Sequence, residues 1–360
     1  MIPKLHILIS YAEKNVQSKI DNLQEACEGK ADLHLFIDSG AFTELTTGKK
    51  VRLNQYIQFI YDNLKITDVY AALDVIGDPE KTAENLQAMK DSGLEPIAID
   101  HFGTYMHMWK QLVYENDYVA IGGSARSGIT NHRVFSKMRF VEALKIKPDI
   151  KIHGFGITNP ESVLELPYYS VDSTSWSTGR FGDLRLWHPD MNTIITWARL
   201  YPDTLAANMT TLKNQLSCYG LKVDDYLARK NMQTYDQAAI KSFIQMENYV
   251  RSEFKRELKI YLAAVGPYRL RREGFFDYIF SPLEIPEGPI GVPKNITRKG
   301  AANFDKIKEK LDKKTEKELK AKAKLEKEKE AENKVHVEKK PKRKGKHDFV
   351  AHNTDPGKRL

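Results

Sequence analysis

The chain has 360 residues, 41% of them hydrophobic, and carries a formal net charge of +8. That length and apolar content allow one large core with an appendage, whereas two cysteines are too few for a disulfide scaffold or a four-ligand zinc site. No apolar run approaches the roughly 20 residues that span a bilayer, and the first ten residues lack the pattern of a signal peptide, so we expect a cytoplasmic protein without a membrane partner.

Apolar runs typical of buried strands alternate with helical patterns over the first 185 residues. The predicted strands are Leu5–Ser10, Leu33–Asp38, Val69–Val75, Pro96–Asp100, Tyr118–Ile121, Lys151–Phe155 and Tyr168–Asp172. The predicted helices between them are Asn15–Glu28, Leu53–Leu64, Pro79–Ser92, Tyr105–Tyr114, Asn131–Leu144 and Pro160–Leu166. Seven such steps predict an α/β fold and favour a (β/α)8 TIM-barrel-like catalytic domain over residues 1–200. Thr193–Leu200 is one candidate for the eighth strand.

Beyond residue 185 the pattern becomes helical. The predicted helices are Leu205–Leu216, Asp224–Met232 and Gln237–Val265, and four prolines between residues 282 and 293 predict an irregular closing segment. We therefore expect a helical extension over residues 201–300. Arg269, Arg271 and Arg272 follow the last helix, where they could bind a nucleic-acid backbone or simply favour a helix carboxyl end.

The last 60 residues hold all of the excess positive charge. Residues 301–360 contain 20 Lys and Arg and 12 Asp and Glu, an excess equal to the net charge of the whole chain. The segment Lys306–Lys334 predicts a solvated Lys/Glu-rich helix. The cluster around Lys342, Arg343 and Lys344 predicts a flexible, disordered tail that neutralises phosphates, with an ordinary solvated surface as the alternative.

Chemically useful residues follow the predicted strands. The strand ends carry Asp38, Asp74, Asp100, His101, Gly122, Gly123, Gly154, Phe155 and Asp172. In a barrel of parallel strands these positions meet at one rim, where enzymes of this fold keep their chemistry. Each residue alone also has a structural explanation, since Asp often caps a helix and Gly often makes a turn. Their coincidence at one rim predicts an active site.

Four short segments resemble those of the tRNA-guanine transglycosylases. Asp38-Ser39-Gly40-Ala41-Phe42 resembles the family's DSGGF signature, and Ala120-Ile121-Gly122-Gly123 resembles its (A/V)GG turn. His153-Gly154-Phe155-Gly156 is similar to its GxG turn. Val171-Asp172-Ser173, followed by Thr178-Gly179-Arg180-Phe181-Gly182, is similar to the segment that carries the nucleophile. The matches follow the family's order over about residues 30–185.

The departures from the family pattern concern the zinc site and the base-reading residue. The tRNA-modifying members carry a zinc subdomain after the nucleophile, whereas this chain has only Cys218 beyond Asp172. The family's base-reading glutamine is absent, and His101 stands roughly in its place. The form Asp172-Ser173-Thr174-Ser175-Trp176 and the turn His101-Phe102-Gly103 look more like the compact transglycosylases of bacteriophages, which exchange guanine in DNA for a 7-deazaguanine. The resemblance thus implies DNA and a free 7-deazaguanine base as partners, no cofactor or metal, and the host cytoplasm if the chain is phage-encoded.

The resemblance also implies a role for each residue at the rim. Asp172 is similar to the nucleophile that attacks C1′ and forms a covalent glycosyl-enzyme. Asp38 would be the general acid and base, and Asp74 would accept hydrogen bonds from the purine edge. The expected base slot is completed by His101, Gly122, Gly123, Gly154, Phe155 and, stacking on an extruded base, Trp176. Arg180 would bind a phosphate.

The sequence leaves several alternatives open. Trp176 could belong to the core, and Arg180 could form a surface ion pair. The polymer could be tRNA, as in queuosine- or archaeosine-type modification, and a homodimer is a further alternative. The chain could also be a barrel enzyme that acts on a small phosphorylated substrate. A non-catalytic nucleic-acid-binding relative is a fourth reading, which the presence of both Asp38 and Asp172 disfavours.

Overall fold

A computed structural model describes residues 2–48, 50–102, 104–123, 129–263 and 265–294 of the chain. Residues 1–298 form one compact unit. The helix and the basic cluster predicted for residues 301–360, including Lys342, Arg343 and Lys344, lie outside the described residues. No helix within the described ranges combines the length and apolar character needed to cross a membrane.

The described residues form ten strands: β1 (Lys4–Ser10), β2 (Asp32–Asp38), β3 (Val69–Tyr70), β4 (Ala98–His101), β5 (Tyr118–Gly122), β6 (Lys151–Gly154), β7 (Ser170–Ser173), β8 (Asp183–His188), β9 (Thr193–Ala198) and β10 (Lys259–Ala263). Eight of them form one curled parallel sheet in the order β3-β2-β1-β10-β7-β6-β5-β4. A parallel bridge between Ala71 and Ile97 joins the two edge strands. There Ala72 N–H donates to the Ile97 carbonyl at 3.0 Å, and Ile97 N–H donates to the Tyr70 carbonyl at 2.9 Å. This TIM-barrel-like α/β arrangement confirms the predicted fold class.

Thirteen α-helices of the described ranges accompany the strands. They are α1 (Val16–Cys27), α2 (Ala41–Thr47), α3 (Leu53–Asn63), α4 (Pro79–Asp91), α5 (Met106–Glu115), α6 (Ile129–Ile146), α7 (Pro160–Glu165), α8 (Pro202–Ala207), α9 (Met209–Ser217), α10 (Val223–Leu227), α11 (Met232–Phe254), α12 (Pro267–Leu270) and α13 (Phe275–Phe280). Two 3-10 helices span Leu64–Ile66 and Ser175–Phe181. The start of α4 is capped by Asp78, whose carboxylate accepts the Lys81 N–H at 2.9 Å ahead of a proline at the first helical position.

The eighth strand of the sheet is β10, so the candidate Thr193–Leu200 was wrong. Most of that candidate forms β9, which pairs antiparallel with β8 in a separate two-stranded sheet. Strand β10 instead lies between β1 and β7, with Tyr261 in register with Asp172. The barrel therefore uses residues on both sides of position 200, and that position does not mark its end.

The predicted helix Gln237–Val265 was also wrong over its last third. Helix α11 ends at Phe254, where Lys255 adopts a left-handed conformation with φ of 51°. That conformation stops a helix. The residues that follow, Ile260-Tyr261-Leu262, are β-branched, aromatic and apolar, and they form the buried middle of β10.

Side chains of the barrel strands alternate between the surrounding helices and the interior. On β1, Ile7 and Ile9 belong to the core that packs against the helices, whereas Leu8 clusters inside the barrel with Phe36 of β2. Side chains two residues apart share a face of a strand. Asp38 therefore lies on the interior face, two residues beyond Phe36, at the carboxyl end of β2.

A second core surrounds the hairpin of β8 and β9, in the chain between β7 and β10. Its largest fully buried side chains include Trp197, Tyr219 and Tyr226. The Trp197 indole N–H donates to Gln215 Oε1 at 2.8 Å, and the Tyr226 hydroxyl donates to the Trp197 carbonyl at 2.7 Å. The buried polar atoms of Trp197 and Tyr226 thus have hydrogen-bond partners within this core.

Candidate active site

Three aspartates meet at the carboxyl end of the barrel. Asp38 is the last residue of β2, Asp172 is the third residue of β7, and Asp74 follows the bridge at Ala71 by three residues. The negative charges of Asp74 and Asp172 both act on Asp38 and raise its pKa, so both carboxylates lie within electrostatic reach of Asp38. Asp38 therefore has two of the other predicted strand-end acids as neighbours.

Asp38 is surrounded by features that favour its neutral form. Burial raises its pKa to about 7, and repulsion from Asp74 and Asp172 acts in the same direction. The Gly40 N–H, which donates to Asp38 Oδ2 at 3.0 Å, opposes these effects only in part. Gly40 has φ of 91°, and a Cβ there would lie 2.5 Å from the Ala12 Cβ, so the turn behind Asp38 requires glycine.

Asp74 is held by two side chains. The Ser39 hydroxyl donates to its Oδ1 at 2.7 Å, and His101 Nε2 lies 2.8 Å from its Oδ2. Asp74 and His101 are each only 8% exposed, which shields the pair from competing water. His101 thus contacts the carboxylate that was predicted to bind the purine edge. Ser39 had no predicted role, although it lies within the Asp38–Phe42 segment.

Asp172 is oriented through one of its two oxygens. The Gly156 N–H donates to Oδ1 at 2.8 Å, and His153 Nε2 lies 3.3 Å from the same atom. Within the described residues, no protein group forms a hydrogen bond with Oδ2. A carboxylate fixed through one oxygen keeps the other for chemistry. His153 was part of a predicted turn, but it had no role of its own.

The predicted glycines make room for neighbouring side chains of the protein. A Cβ on Gly122 would lie 3.1 Å from His101 Cδ2, and a Cβ on Gly154 would lie 2.6 Å from Tyr168 Cε1. Gly123 has φ of 83° and abuts Phe102. These contacts explain why glycine occupies these positions, because a Cβ there would crowd neighbouring side chains, including the His101 ring. Their predicted part in a base slot stays a prediction.

Phe155 and Trp176 occupy different surroundings. The Phe155 ring is half-buried and lies 4.4 Å from the His153 ring, next to the Asp172 contact. Trp176 is fully buried, and its indole N–H donates to the Ala263 carbonyl at 2.9 Å. The structure therefore places Trp176 in the core, where it cannot stack on a base without a rearrangement.

The predicted nucleic-acid ligands fall into three groups. Arg269 is buried, lies 3.4 Å from Asp236 Oδ2 and covers the Trp176 ring. Arg269 therefore makes its contacts inside the protein rather than with a ligand. Arg271 is exposed and pairs with Glu25 at 2.6 Å, and the partly exposed Arg272 contacts the Gln233 carbonyl at 3.4 Å. The side chain of Arg180 lies outside the described part of the structure.

Two large cavities lie elsewhere on the barrel. One, of about 580 Å³, is lined by His6, Glu247 and Arg251, and the other, of about 570 Å³, is lined by Tyr70 and Tyr118. Both open near the amino-terminal ends of the strands, and neither is lined by any of the three aspartates. We locate the chemistry at the carboxyl end because that is where the perturbed carboxylate lies.

No protein-family model matches the chain, and no curated protein matches it. Among the described residues, no group of three or more His, Cys, Asp or Glu side chains is arranged to hold a metal ion. What the site offers chemically is two carboxylates in unlike surroundings and a third that is held by His101 and Ser39.

Proposed function

We propose that this protein is a base-exchange glycosyltransferase that replaces guanine in DNA with a 7-deazaguanine. The observation that carries the proposal is the difference between Asp38, whose pKa is raised to about 7, and Asp172, whose Oδ1 accepts the Gly156 N–H and lies 3.3 Å from His153 Nε2. Enzymes that use two carboxylates in two roles set them apart through such differences in surroundings. The sequence resemblance to guanine transglycosylases supports the same division.

In the first step Asp172 acts as the nucleophile. Its Oδ2 attacks C1′ of the target nucleotide, the bond between C1′ and the ring nitrogen of guanine breaks, and the bonding electrons leave with the base. Asp38 in its neutral form donates its proton to that nitrogen, so guanine departs uncharged. The products are free guanine, a covalent ester between Asp172 and the sugar, and an ionised Asp38.

In the second step Asp38 acts as the base. The incoming 7-deazaguanine loses its ring N–H proton to Asp38, and the freed nitrogen attacks C1′. The ester bond to Asp172 then breaks, and both carboxyl groups return to their starting forms. The sugar keeps its configuration because it undergoes two displacements, as in retaining glycosidases. A pKa near 7 suits a group that must give and take a proton in one cycle.

Asp74 would recognise the purine through its remaining acceptor capacity. A carboxylate offers about four lone-pair sites, and the contacts with Ser39 and His101 use one on each oxygen. The amino group and ring N–H of guanine form a donor pair that matches a carboxylate edge. In this proposal His101 and Ser39 fix the rotamer of Asp74, so that the edge is already oriented before the base arrives.

The polymer is the part of the proposal that depends most on resemblance. In a DNA duplex the target nucleotide must leave the stack before its C1′ becomes accessible. The excess positive charge of residues 301–360 would add phosphate contacts that do not depend on base sequence. A tRNA substrate would need the same chemistry at C1′, so the two polymers must be compared directly.

The proposal is tested by base incorporation. The purified full-length protein is incubated with radiolabelled guanine or a labelled 7-deazaguanine and with either duplex DNA or tRNA, and label in the polymer is counted. Asp172→Ala should abolish incorporation, whereas Asp117→Ala, at a carboxylate whose side chain is 93% exposed, should leave it unchanged. Label in tRNA alone would show that tRNA, and not DNA, is the substrate. Label in neither polymer would refute the transglycosylase proposal.

The covalent step has its own measurement. A protein–DNA adduct that survives denaturation should form with the wild-type protein and with Asp117→Ala, and it should be lost in Asp172→Ala. An adduct that persists in Asp172→Ala would show that another residue is the nucleophile.

A further inference from the structure

A chain of close polar contacts runs from Asp172 into the barrel. His153 Nε2 lies 3.3 Å from Asp172 Oδ1, and His153 Nδ1 lies 2.6 Å from the Ser170 hydroxyl oxygen. The same Ser170 oxygen lies 2.6 Å from the Tyr118 hydroxyl. Tyr118 also lines the cavity of about 570 Å³ near the opposite end of the strands. The chain thus links the candidate nucleophile to the far end of the barrel through strands β5, β6 and β7.

Asp172, at the end of this chain of contacts, determines which group donates the proton in each hydrogen bond. An ionised Asp172 can only accept, so the proton of His153 must be on Nε2. Nδ1 of a neutral imidazole then accepts from the Ser170 hydroxyl, and Ser170 in turn accepts from the Tyr118 hydroxyl. Each group donates once toward Asp172, and the arrangement selects one tautomer of His153.

The surroundings of His153 favour a neutral ring. The side chain is fully buried, with the Phe36, Phe155 and Tyr261 rings packed around it. Burial lowers its pKa, and the Asp172 carboxylate offsets this only in part. The titratable groups that face His153 or Ser170 are Asp172 on β7, Tyr118 on β5 and Tyr261 on β10.

We propose that His153 is a positioning residue that donates from Nε2 to Asp172 Oδ1, and that Ser170 and Tyr118 fix its tautomer. This inference rests on the proposed role of Asp172 as the nucleophile. At 3.3 Å the contact does not have hydrogen-bond geometry, and His153 Nε2 is a buried atom with no hydrogen-bond partner among the described residues. Such contacts are often long in a free enzyme and tighten in the reacting complex. The donor stabilises the charged carboxylate and leaves Oδ2 free to attack C1′.

The tautomer can be measured without any activity. In 15N-histidine-labelled full-length protein, the nitrogen chemical shifts of His153 should report a neutral ring protonated on Nε2 at pH 7 to 8. The signal is assigned by its loss in His153→Gln. In Ser170→Ala the ring loses the donor to Nδ1, and a mixture of the two tautomers is expected. A ring protonated on Nδ1, or one that titrates with a midpoint at or above 6.5, would overturn the proposal.

Kinetics then test what the donor does for the reaction. His153→Leu should slow single-turnover adduct formation by about 10- to 100-fold, the range for losing a hydrogen bond to a charged group. His153→Gln keeps an N–H near the position of Nε2, and we expect it to retain most of the wild-type rate. A purely structural role would slow adduct formation alike in His153→Leu and His153→Gln.

Two tyrosines provide a matched pair of variants. Tyr118→Phe removes the hydroxyl that donates to Ser170, and we expect a loss of about two- to fivefold in the adduct rate, because its effect passes through two further bonds. Tyr261→Phe removes a buried hydroxyl that has no hydrogen-bond partner among the described residues, and it should leave the rate unchanged. Equal losses of the adduct rate in Tyr118→Phe and Tyr261→Phe would contradict the role of the contacts from Tyr118 through Ser170 to His153.

The two proposals fail in different ways. Absence of base exchange in the wild-type protein would refute the proposed function, while the nitrogen shifts would still report whether His153 donates to Asp172. If base exchange occurs but His153→Leu and His153→Gln behave alike, the proposed function stands and the positioning role of His153 is refuted.

Discussion

Replacing Asp38 with Asn should stabilise the folded protein, and the gain should grow with pH. Asp38 ionises near 3.8 in an unfolded chain, whereas burial and two neighbouring carboxylates raise its pKa to about 7 in the folded one. A raised carboxyl pKa means that the folded state binds the proton more tightly. Ionisation of Asp38 therefore destabilises the folded state. This cost is absent below pH 3.8, grows as the pH rises toward 7, and reaches its full value above pH 7. The difference of about 3 in pKa corresponds to about 4 kcal/mol.

Asn reproduces the neutral form of Asp38 with almost the same shape and keeps an oxygen for the Gly40 N–H. Urea unfolding of the wild-type protein and Asp38→Asn should give a difference in the free energy of unfolding of about 1.5 kcal/mol at pH 5 and about 4 kcal/mol at pH 8. Both values follow from the two pKa values of Asp38, in the unfolded and the folded chain. The assay is run on the full chain at fixed ionic strength.

Asp100 provides the matched control. Asp100 lies within β4 and is almost fully buried, and burial raises its pKa to about 6 despite the opposing charge of Arg139. Its Oδ2 accepts from Arg139 Nε at 2.8 Å, so Asp100→Asn would leave a buried guanidinium without its counter-charge. That change should destabilise by about 3 to 5 kcal/mol at pH 8. A constant difference between Asp38→Asn and wild type from pH 5 to 8, or a less stable Asp38→Asn at pH 8, would refute the reasoning.

Three further predictions concern the reaction, the packing and the tail. Single-turnover adduct formation should fall above about pH 7, because Asp38 must carry a proton when guanine leaves, and a flat rate from pH 6 to 9 would contradict that role. Gly154→Ala should destabilise by about 1 to 3 kcal/mol in thermal unfolding because its Cβ would meet the Tyr168 ring at 2.6 Å, whereas Gly288→Ala, with nothing within 4 Å, should be nearly neutral. Deleting residues 301–360 should weaken DNA binding and reduce its salt dependence while the adduct still forms, and an unchanged salt slope would exclude the tail from the contact.

The cluster of acids could be predicted because it depends on a local pattern. A short apolar run followed by Asp is visible at Asp38 and at Asp172, and parallel strands bring their carboxyl ends to one rim. The eighth strand could not be predicted in this way. Residues 259–263 are only five, they follow the 23-residue helix α11, and their apolar residues fit a helical pattern as well as a strand. Lys255 separates the two elements in a left-handed conformation, but lysine is not a residue type that predicts such a turn.

The environment of each site residue depends on contacts across the barrel, which a single sequence does not display. Ser39 meets Asp74 from 35 positions away, and His101 meets it from 27. The interior position of His153 could have been predicted, because His153 alternates with Ile152 and Gly154 on β6 and so falls on the interior face. A histidine inside a barrel needs polar partners. The nearest candidates on the neighbouring strand are Ser170 and Asp172, which share that face on β7.

The same alternation explains why two carboxylates at strand ends can serve different steps. Asp172 lies beside β6, whose interior face supplies His153 and whose following turn supplies the Gly156 N–H. Asp38 is the last residue of β2, between β1 and β3, where the Gly40 N–H donates to it while Asp74 and Asp172 repel its negative charge. Donors favour a charged carboxylate, whereas burial near other carboxylates favours a protonated one. These unlike surroundings support the proposed division of roles, with Asp172 as the nucleophile and Asp38 as the acid.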